Sequence, residues 1–549
     1  MKRPGEVRMG LRKIRFPSEF RTILGYGNNA RNPEWGAAEI PFLRRTTVDY
    51  GDGVDSPSGE NRPNPREISN AVCAQEEDTP GARRASDFVW QWGQFLDHDI
   101  TLTPTNDLIE PFNVPIPAGD PFFDPQGTGQ QEMALDRSFS EIVDGIRQQV
   151  NEITAYVDAS NVYGSDQERA DALRLEDGTG RLAVSEGDLL PFNTEGLPNA
   201  PSANAPNFFL AGDFRANEQV GLTAMHTIFV REHNYWAELV GRSNSSLSGD
   251  QIYEIARALV GAEMQAITYN EFLPVLLGRD AIPKYRGYRA DLNPGITNVF
   301  ATASYRFGHS MLSSELLRLD RRMREIREGH LDLASAFFSP SRIVDEGGID
   351  PILRGLSYQR AQRIDTQLVD GVRNFLFGPP GAGGFDLATL NIQRGRDHGL
   401  PGYNEVRRNF GLRPVRSFRD ITPDREVREK LESVYDSVED IDVWVGGLAE
   451  PPFRGGLVGE TVHVILREQF LRLRDGDRFW YQNHLDETLQ SMIEKQTLAR
   501  IIERNTKIRS ELTDDPWMAS ERPTEMMGGP GGRGGGPGGP GGGPRGGRR

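Results

Sequence analysis

A chain of 549 residues with a formal charge of −16 and a pI near 5.2 repels nucleic acid and anionic lipid headgroups, which excludes broad nucleic-acid binding. Hydrophobic residues at 37% and charged residues at 26% suit a globular protein with ample material for a core. Cys73 is the single cysteine, so an intrachain disulfide, a thiolate zinc cluster and a CxxCH haem attachment are all excluded.

The opening stretch, MKRPGEVRMGLRKIRFPSEF, is basic but lacks the apolar segment of a secretory signal, and no run of roughly 18 apolar residues occurs along the chain, so no transmembrane segment is expected. Residues 1–24 read as an N-terminal extension. Gly, Pro and Asn remain frequent up to about residue 80 (GYGNNARNPEWGAAEIPF, SPSGENRPNPREISN), the composition of an arm of loops and turns that wraps a core.

From Ser86, a plausible N-cap, the pattern turns helical. Phe88, Trp92, Phe95 and Leu96 fall on one face, and Asp87, Gln91, Gln94 and His98 on another. The segment WQWGQFLDHDI ends with Asp97, His98 and Asp99 in a row. With successive helical residues about 100° apart, the three point into three different surroundings. Taken alone, the run reads equally as a helix end with a solvated acidic patch and a core histidine.

Further amphipathic helices fit residues 222–240, 251–269, 426–438, 459–473 and 486–504. Strand-like alternation is scarce and no internal repeat is present. One large, mainly α domain over residues 25–515 is therefore expected. Residues 516–549 read as a disordered tail, since 528–549 hold only Gly, Pro and Arg.

Four more segments carry candidate chemistry. LAGDFRANEQVGLTAMHT places Arg215 and Glu218 before a helix that Thr223 could cap. ATASYRFGHSML contains Arg306 and His309, and LNIQRGRDHGLPGYN contains Asn391. ITAYVDASNVYGS sets Thr154, Tyr156, Asp158 and Ser160 at alternate positions, a run of oxygen donors that could serve a hard cation but, taken alone, reads first as an ordinary polar turn. His226 and His233 lie seven apart without an HExxH arrangement, so packing is expected for both. Structural roles are also expected for His330, His398, His463 and His484, and Cys73 reads as a lone thiol.

In this order and at these separations the segments resemble the animal-type haem peroxidases, from about residue 25 to about 515, with GNNARNPEWGAA and LRDGDRFWYQN adding to the match. The resemblance implies a single haem-peroxidase domain of the myeloperoxidase-like type, binding b-type haem and Ca2+. It places His98, Gln94 and Arg215 on the distal side of the haem and makes His309 the proximal iron ligand. Asn391 is then the acceptor for the other ring nitrogen of His309, and Arg306 lies beside it. Asp97 and Glu218 match the carboxylates that form ester links to haem methyls, while Asp99, Thr154, Asp158 and Ser160, with the Tyr156 carbonyl, match a calcium site.

The implied activity reduces hydrogen peroxide and oxidises small donors through a ferryl intermediate. Gln219 stands where myeloperoxidase-like enzymes carry a sulfonium-forming methionine, so bromide, iodide, thiocyanate or phenols are expected as donors rather than chloride. A fatty-acid dioxygenase of the same superfamily is an alternative. Its radical-forming tyrosine position, three before the proximal histidine, is Arg306 here, with Tyr305 one residue off. A non-enzymatic haem and calcium matrix or adhesion protein is a further alternative. A monomer is expected, exported on the strength of its calcium and peroxide chemistry, although the missing signal leaves the cytoplasm open.

Overall fold

A computed structural model describes residues 15–105 and 110–520. The expected tail lies from residue 521 onward outside the described residues, as do residues 1–14 of the extension. The architecture is mainly helical, built around α1 (Phe88–Ile100), α2 (Val220–Ser243), α3 (Gly249–Ile267), α4 (Leu387–Asp397), α5 (Val443–Ala449), α6 (Glu460–Asp475) and α7 (Leu498–Asn505). Strands are short: β1 (Ile40–Pro41), β2 (Ser140–Val143) and β3 (Ile146–Asn151) form an antiparallel sheet in the order β1-β3-β2. No helix among the described residues is long and apolar enough to cross a membrane.

Helix α1 packs on α2, where Phe95 stacks on Phe229 at 5.1 Å and Trp92 meets the same ring at 5.8 Å. The chain turns from α2 into α3 over a short loop. Ser248 and Gln251 close a reciprocal capping box there, which satisfies backbone donors that the first turn of α3 leaves open.

Ser86 does not cap α1. The preceding residue is Asp87, whose backbone is already helical and whose side chain makes no cap. The Ser86 hydroxyl instead donates to the Pro516 carbonyl at 2.5 Å, and its N–H to the Trp517 carbonyl at 2.8 Å. Trp517 is buried and meets Trp92 edge-on at 5.9 Å, so the packed body continues past the boundary expected at 515. Residues before the expected start at 25 also pack: Phe16 and Phe20 lie against the core, and Arg21 pairs with Asp477.

The arm wraps the core as expected, with Asn28 donating to Asp477 at 2.8 Å and Arg44 to the His398 carbonyl at 2.7 Å. The helix expected over 486–504 breaks in two, because Thr497 accepts the Arg500 N–H and starts α7 afresh. The helix expected over 426–438 spans only Arg425–Glu432.

Arg66 ties distant parts of the chain together. Fully buried, it donates to Asp120 at 2.7 Å, Asp386 at 2.7 Å and Asn374 at 2.9 Å. Asp386 in turn caps α4 by accepting from Ala388 N at 2.9 Å and Thr389 N at 3.3 Å. Arg66→Met strands two buried carboxylates, and the unfolding free energy from a denaturant titration is expected to fall by about 3–5 kcal/mol.

His226 and His233 are packed as expected. His233 Nε2 donates to the Gly180 carbonyl at 2.9 Å and Nδ1 receives the Tyr163 hydroxyl at 2.9 Å, the one tautomer that suits a carbonyl partner. Burial lowers both histidines from 6.5 to about 4. Between these values the unfolded chain binds protons that the folded chain does not, so stability is present above pH 6.5 and is lost as pH falls toward 4. Denaturant midpoints across that window are expected to drop, and to drop less in His226→Phe.

Candidate functional site

The C-terminal end of α1 is fixed by the loop that follows β3. Asp99 Oδ2 accepts from the backbone of Asp158 at 3.2 Å and Ala159 at 3.3 Å, and Oδ1 from the Ser160 hydroxyl at 3.1 Å and Asn161 N at 3.4 Å. Asn161 adds a bond to the Phe95 carbonyl at 2.6 Å. Thr154 Oγ1 lies 3.1 and 3.2 Å from the two Asp158 carboxylate oxygens. Asp99, Asp158, Thr154 and Ser160 thus gather in one buried cluster of oxygens. The Tyr156 phenol points elsewhere, donating to the Trp35 carbonyl. Burial, and then the charge of Asp158, push the Asp99 carboxyl well above the usual carboxylate range. Among the described residues no group of three His, Cys, Asp or Glu side chains is placed to hold a metal, so hydroxyls and carbonyls would have to complete any shell here.

The segment bearing Arg215 reaches α1 because Gly212 lets two backbones touch: a Cβ there would stand 2.5 Å from Tyr163 N. Asp213 N then donates to the Asn161 carbonyl at 3.1 Å. The Asp213 carboxylate holds Arg215 in a fork, with Nε to Oδ1 at 2.9 Å and Nη2 to Oδ2 at 2.7 Å. The same Oδ1 lies 3.5 Å from His98 Nδ1, close enough to favour a proton on that nitrogen and leave Nε2 as a free base. Arg215 also donates to the Thr101 carbonyl at 3.0 Å and stands 3.9 Å from Asp97. Burial, then the neighbouring Arg215 charge, lower His98 well below 6.5, so its ring is neutral. Burial works against the ionised Asp213, yet Arg215 and His98 hold its carboxyl well below the ordinary range.

Asp97 accepts from the Thr101 hydroxyl at 3.0 Å, and burial raises its pKa. Glu218 is raised to about 7, again chiefly by burial. Thr223 is inside α2, its hydroxyl returned to the Ala216 carbonyl at 2.7 Å, and the cap is Gln219, whose Oε1 accepts from Gly221 N. Gln219 Nε2 donates to Gln91 at 2.7 Å and Gln94 at 3.0 Å.

Helix α1 also packs against a 3-10 segment, Ser304–Met311, that carries Arg306 and His309. Asn391, on α4, meets His309 Nδ1 at 2.7 Å through its amide nitrogen. This reverses the expected sense of that bond. Arg306 can only donate, and its Nη1 occupies Asn391 Oδ1 at 2.9 Å, which turns the amide nitrogen toward the ring. Burial, then Arg306, lower His309 to about 3, and burial lowers Arg306 itself to about 10.

Gln94, Asp97, Arg215, Glu218, Arg306 and His309 all keep accessible surface, yet desolvation is the largest influence on every titratable member. That combination marks the walls of an interior recess. Residues from three separate stretches line it, with a neutral imidazole and a clamped guanidinium together on one side. Such a pair can move a proton and stabilise a negative oxygen.

The expected residues converge, but two contributors were missed. Asp213 sits two positions before Arg215, where an acidic residue beside a basic one reads as surface charge. Gln219 appeared only as a missing methionine, and nothing local shows that its amide reaches α1.

Comparison with known proteins bears on family and fold. The family profile described as animal haem peroxidase matches residues 20–517. Peroxidasin homolog pxn-2 of Caenorhabditis elegans is 38% identical over 546 residues, covering 89% of this chain, which spans only 41% of that relative's length. The solved structure of peroxidase A from Dictyostelium discoideum superposes with a TM-score of 0.85 at 34% identity, covering 91% of this chain and 99% of the other. A fatty acid alpha-dioxygenase of Arabidopsis thaliana shares the fold alone, with a TM-score of 0.78 at 19% identity over 94% of this chain and 88% of its own. By its sequence across nearly the whole packed body, and by its fold, the chain belongs to the animal haem peroxidase family.

Proposed function

We propose that this protein is a haem-dependent peroxidase that reduces hydrogen peroxide and oxidises small donors such as bromide, iodide, thiocyanate or phenols. The observation that carries the reading is the neutral, buried His98 beside an Arg215 fixed by Asp213, with Asp97 of the same helix feeling the charge of both Arg215 and Arg306.

The residues present fit a haem. His309 Nε2 makes no hydrogen bond among the described residues, so it is free to ligate iron. Ligation through Nε2 would leave the proton on Nδ1, and Asn391 would receive it through Oδ1 by turning its amide over, with Arg306 keeping its bond to the Ala301 carbonyl. Asp97, 3.9 Å from Arg215, and Glu218, whose carboxyl burial raises to about 7, are carboxyls in the recess wall, suited to ester links with haem methyls. When bound, the haem supplies the redox chemistry, taking oxidising equivalents from peroxide and passing them to a donor.

The protein's own part is proton and charge management. His98 Nε2 takes the proton from the inner peroxide oxygen and returns it to the outer one, two transfers that need a ring neutral at the outset. Arg215 is held rigid and stabilises negative charge growing on the departing oxygen without having to reorganise. Asp213 keeps both groups in register.

The dioxygenase alternative gains nothing from Tyr305. That ring is buried and stacked on Phe300 at 4.7 Å, with its hydroxyl lacking a partner.

Calcium is assigned to the Asp99, Asp158, Thr154 and Ser160 oxygens with the Tyr156 carbonyl. The support is a pair of buried carboxylates whose bonds include hydroxyl donors able to turn their oxygens toward a cation.

With haem content matched by pyridine haemochrome, His98→Ala is expected to react with hydrogen peroxide about 10²–10⁴-fold more slowly in stopped flow. An unchanged rate, or wild type that takes up no haem, would overturn the peroxidase reading. Calcium at 100 times its Kd is expected to stabilise the wild type by about 2.7 kcal/mol. Asp99→Ala should show no such shift in its denaturation midpoint, and an equal shift in both would remove the calcium assignment.

A further inference from the structure

We infer that Gln219, fixed by Gly221, sets the orientation of the Gln94 amide so that its oxygen is turned to Gln219 and its NH2 donor is left to the recess, which favours small anionic donors. The inference rests on the peroxidase reading and adds a residue that reading does not use.

The argument starts from a group whose role is unambiguous. A backbone N–H only donates, and Gly221 N lies 2.6 Å from one end of the Gln219 amide, so that end is Oε1. The other end is then Nε2, whose two hydrogens meet two acceptors, Gln91 at 2.7 Å and Gln94 at 3.0 Å. An atom that accepts from Nε2 is the oxygen of its own amide, so Gln94 commits Oε1 to Gln219 and keeps its NH2 free.

The two receiving glutamines differ in where that NH2 is left. Gln91 is fully buried, and its Nε2 is enclosed without a partner. Gln94 keeps accessible surface, four residues before His98 on the wall of the recess, and its Nε2 is not among the enclosed atoms. A free NH2 on the helix whose C-terminal end Arg215 reaches through the Thr101 carbonyl suits a ligand that accepts hydrogen bonds and carries negative charge.

Gly221 is what permits the latch. A Cβ at that position would stand 2.3 Å from Gln91 Oε1 and 2.8 Å from Gln219 Oε1, so any side chain drives the amides apart. An apolar residue at 219 would remove the donor that pins Gln94 and let its amide turn over.

Gln219 is a positioning residue on this account, and a double-mutant cycle with Gln94 tests it. Haem-loaded wild type, Gln219→Leu, Gln94→Leu and the double variant are titrated with bromide, followed by the perturbation of the haem absorption band. Gln219→Leu is expected to raise the bromide Kd about tenfold, a change of about 1.4 kcal/mol. In the Gln94→Leu background the same substitution is expected to change nothing. Gly221→Ala should reproduce the loss by a second route, and Gln219→Ala replaces Gln219→Leu if the latter does not fold. An effect of equal size in both backgrounds, or no effect in either, overturns the inference. Haem content is measured first: wild type without haem defeats the peroxidase reading itself, whereas haem-loaded wild type whose bromide Kd is indifferent to Gln219 defeats only the amide orientation.

Discussion

Asp99 holds α1 by its C-terminal end, and the placement of Asp97 and His98 on that helix follows from the hold. Four donors of the 158–161 loop converge on one carboxylate, which fixes both the rotation and the axial position of the helix. With rotation fixed, Asp97 and His98 have no choice of direction. The same loop presents the Asn161 carbonyl to Asp213, so the anchor also determines where Arg215 stands. A cation in the oxygen cluster would therefore act on His98 and Arg215 only through geometry, by stiffening a position that the backbone already defines.

Charge is buried here on a scale that requires networks rather than pairs. Arg66 meets two carboxylates and an amide, Arg215 meets a carboxylate and a carbonyl, and Arg306 meets a carbonyl and an amide. Each guanidinium is satisfied by groups from segments far apart in sequence, because no single element can supply enough acceptors in one place. The recess differs from these networks in leaving functional atoms open: His98 Nε2, His309 Nε2 and the Glu218 carboxyl have no protein partner among the described residues. Open to the recess rather than enclosed in the core, as Gln91 Nε2 and the Tyr305 hydroxyl are, these atoms are the ones a ligand can reach.

The sequence made the polar stripe of α1, the main helices and the residues at the recess legible, because periodicity and short motifs are local signals. It did not show what depends on long-range contact. Ser86 has the chemistry of a cap, but its hydroxyl is taken by Pro516, more than 400 positions away. Thr223 also looked like a cap, yet Gln219 was better placed to receive Gly221 N. Asn391 was expected to accept, and its orientation was decided by Arg306, a donor on another element. Asp213 carries no signal of its own, since its role exists only once Gly212 has let its segment approach α1.

The contact between Ser86 and the 516–517 carbonyls has a consequence for the order of synthesis. The start of α1 and the Trp92 ring are covered by residues among the last of the described chain to leave the ribosome. Helix α1 can form early, but its final seat is closed only after residue 517 has emerged. The recess is therefore completed late, and a cofactor that enters before then meets walls still free to move apart, whereas one that enters afterwards must pass a closed body.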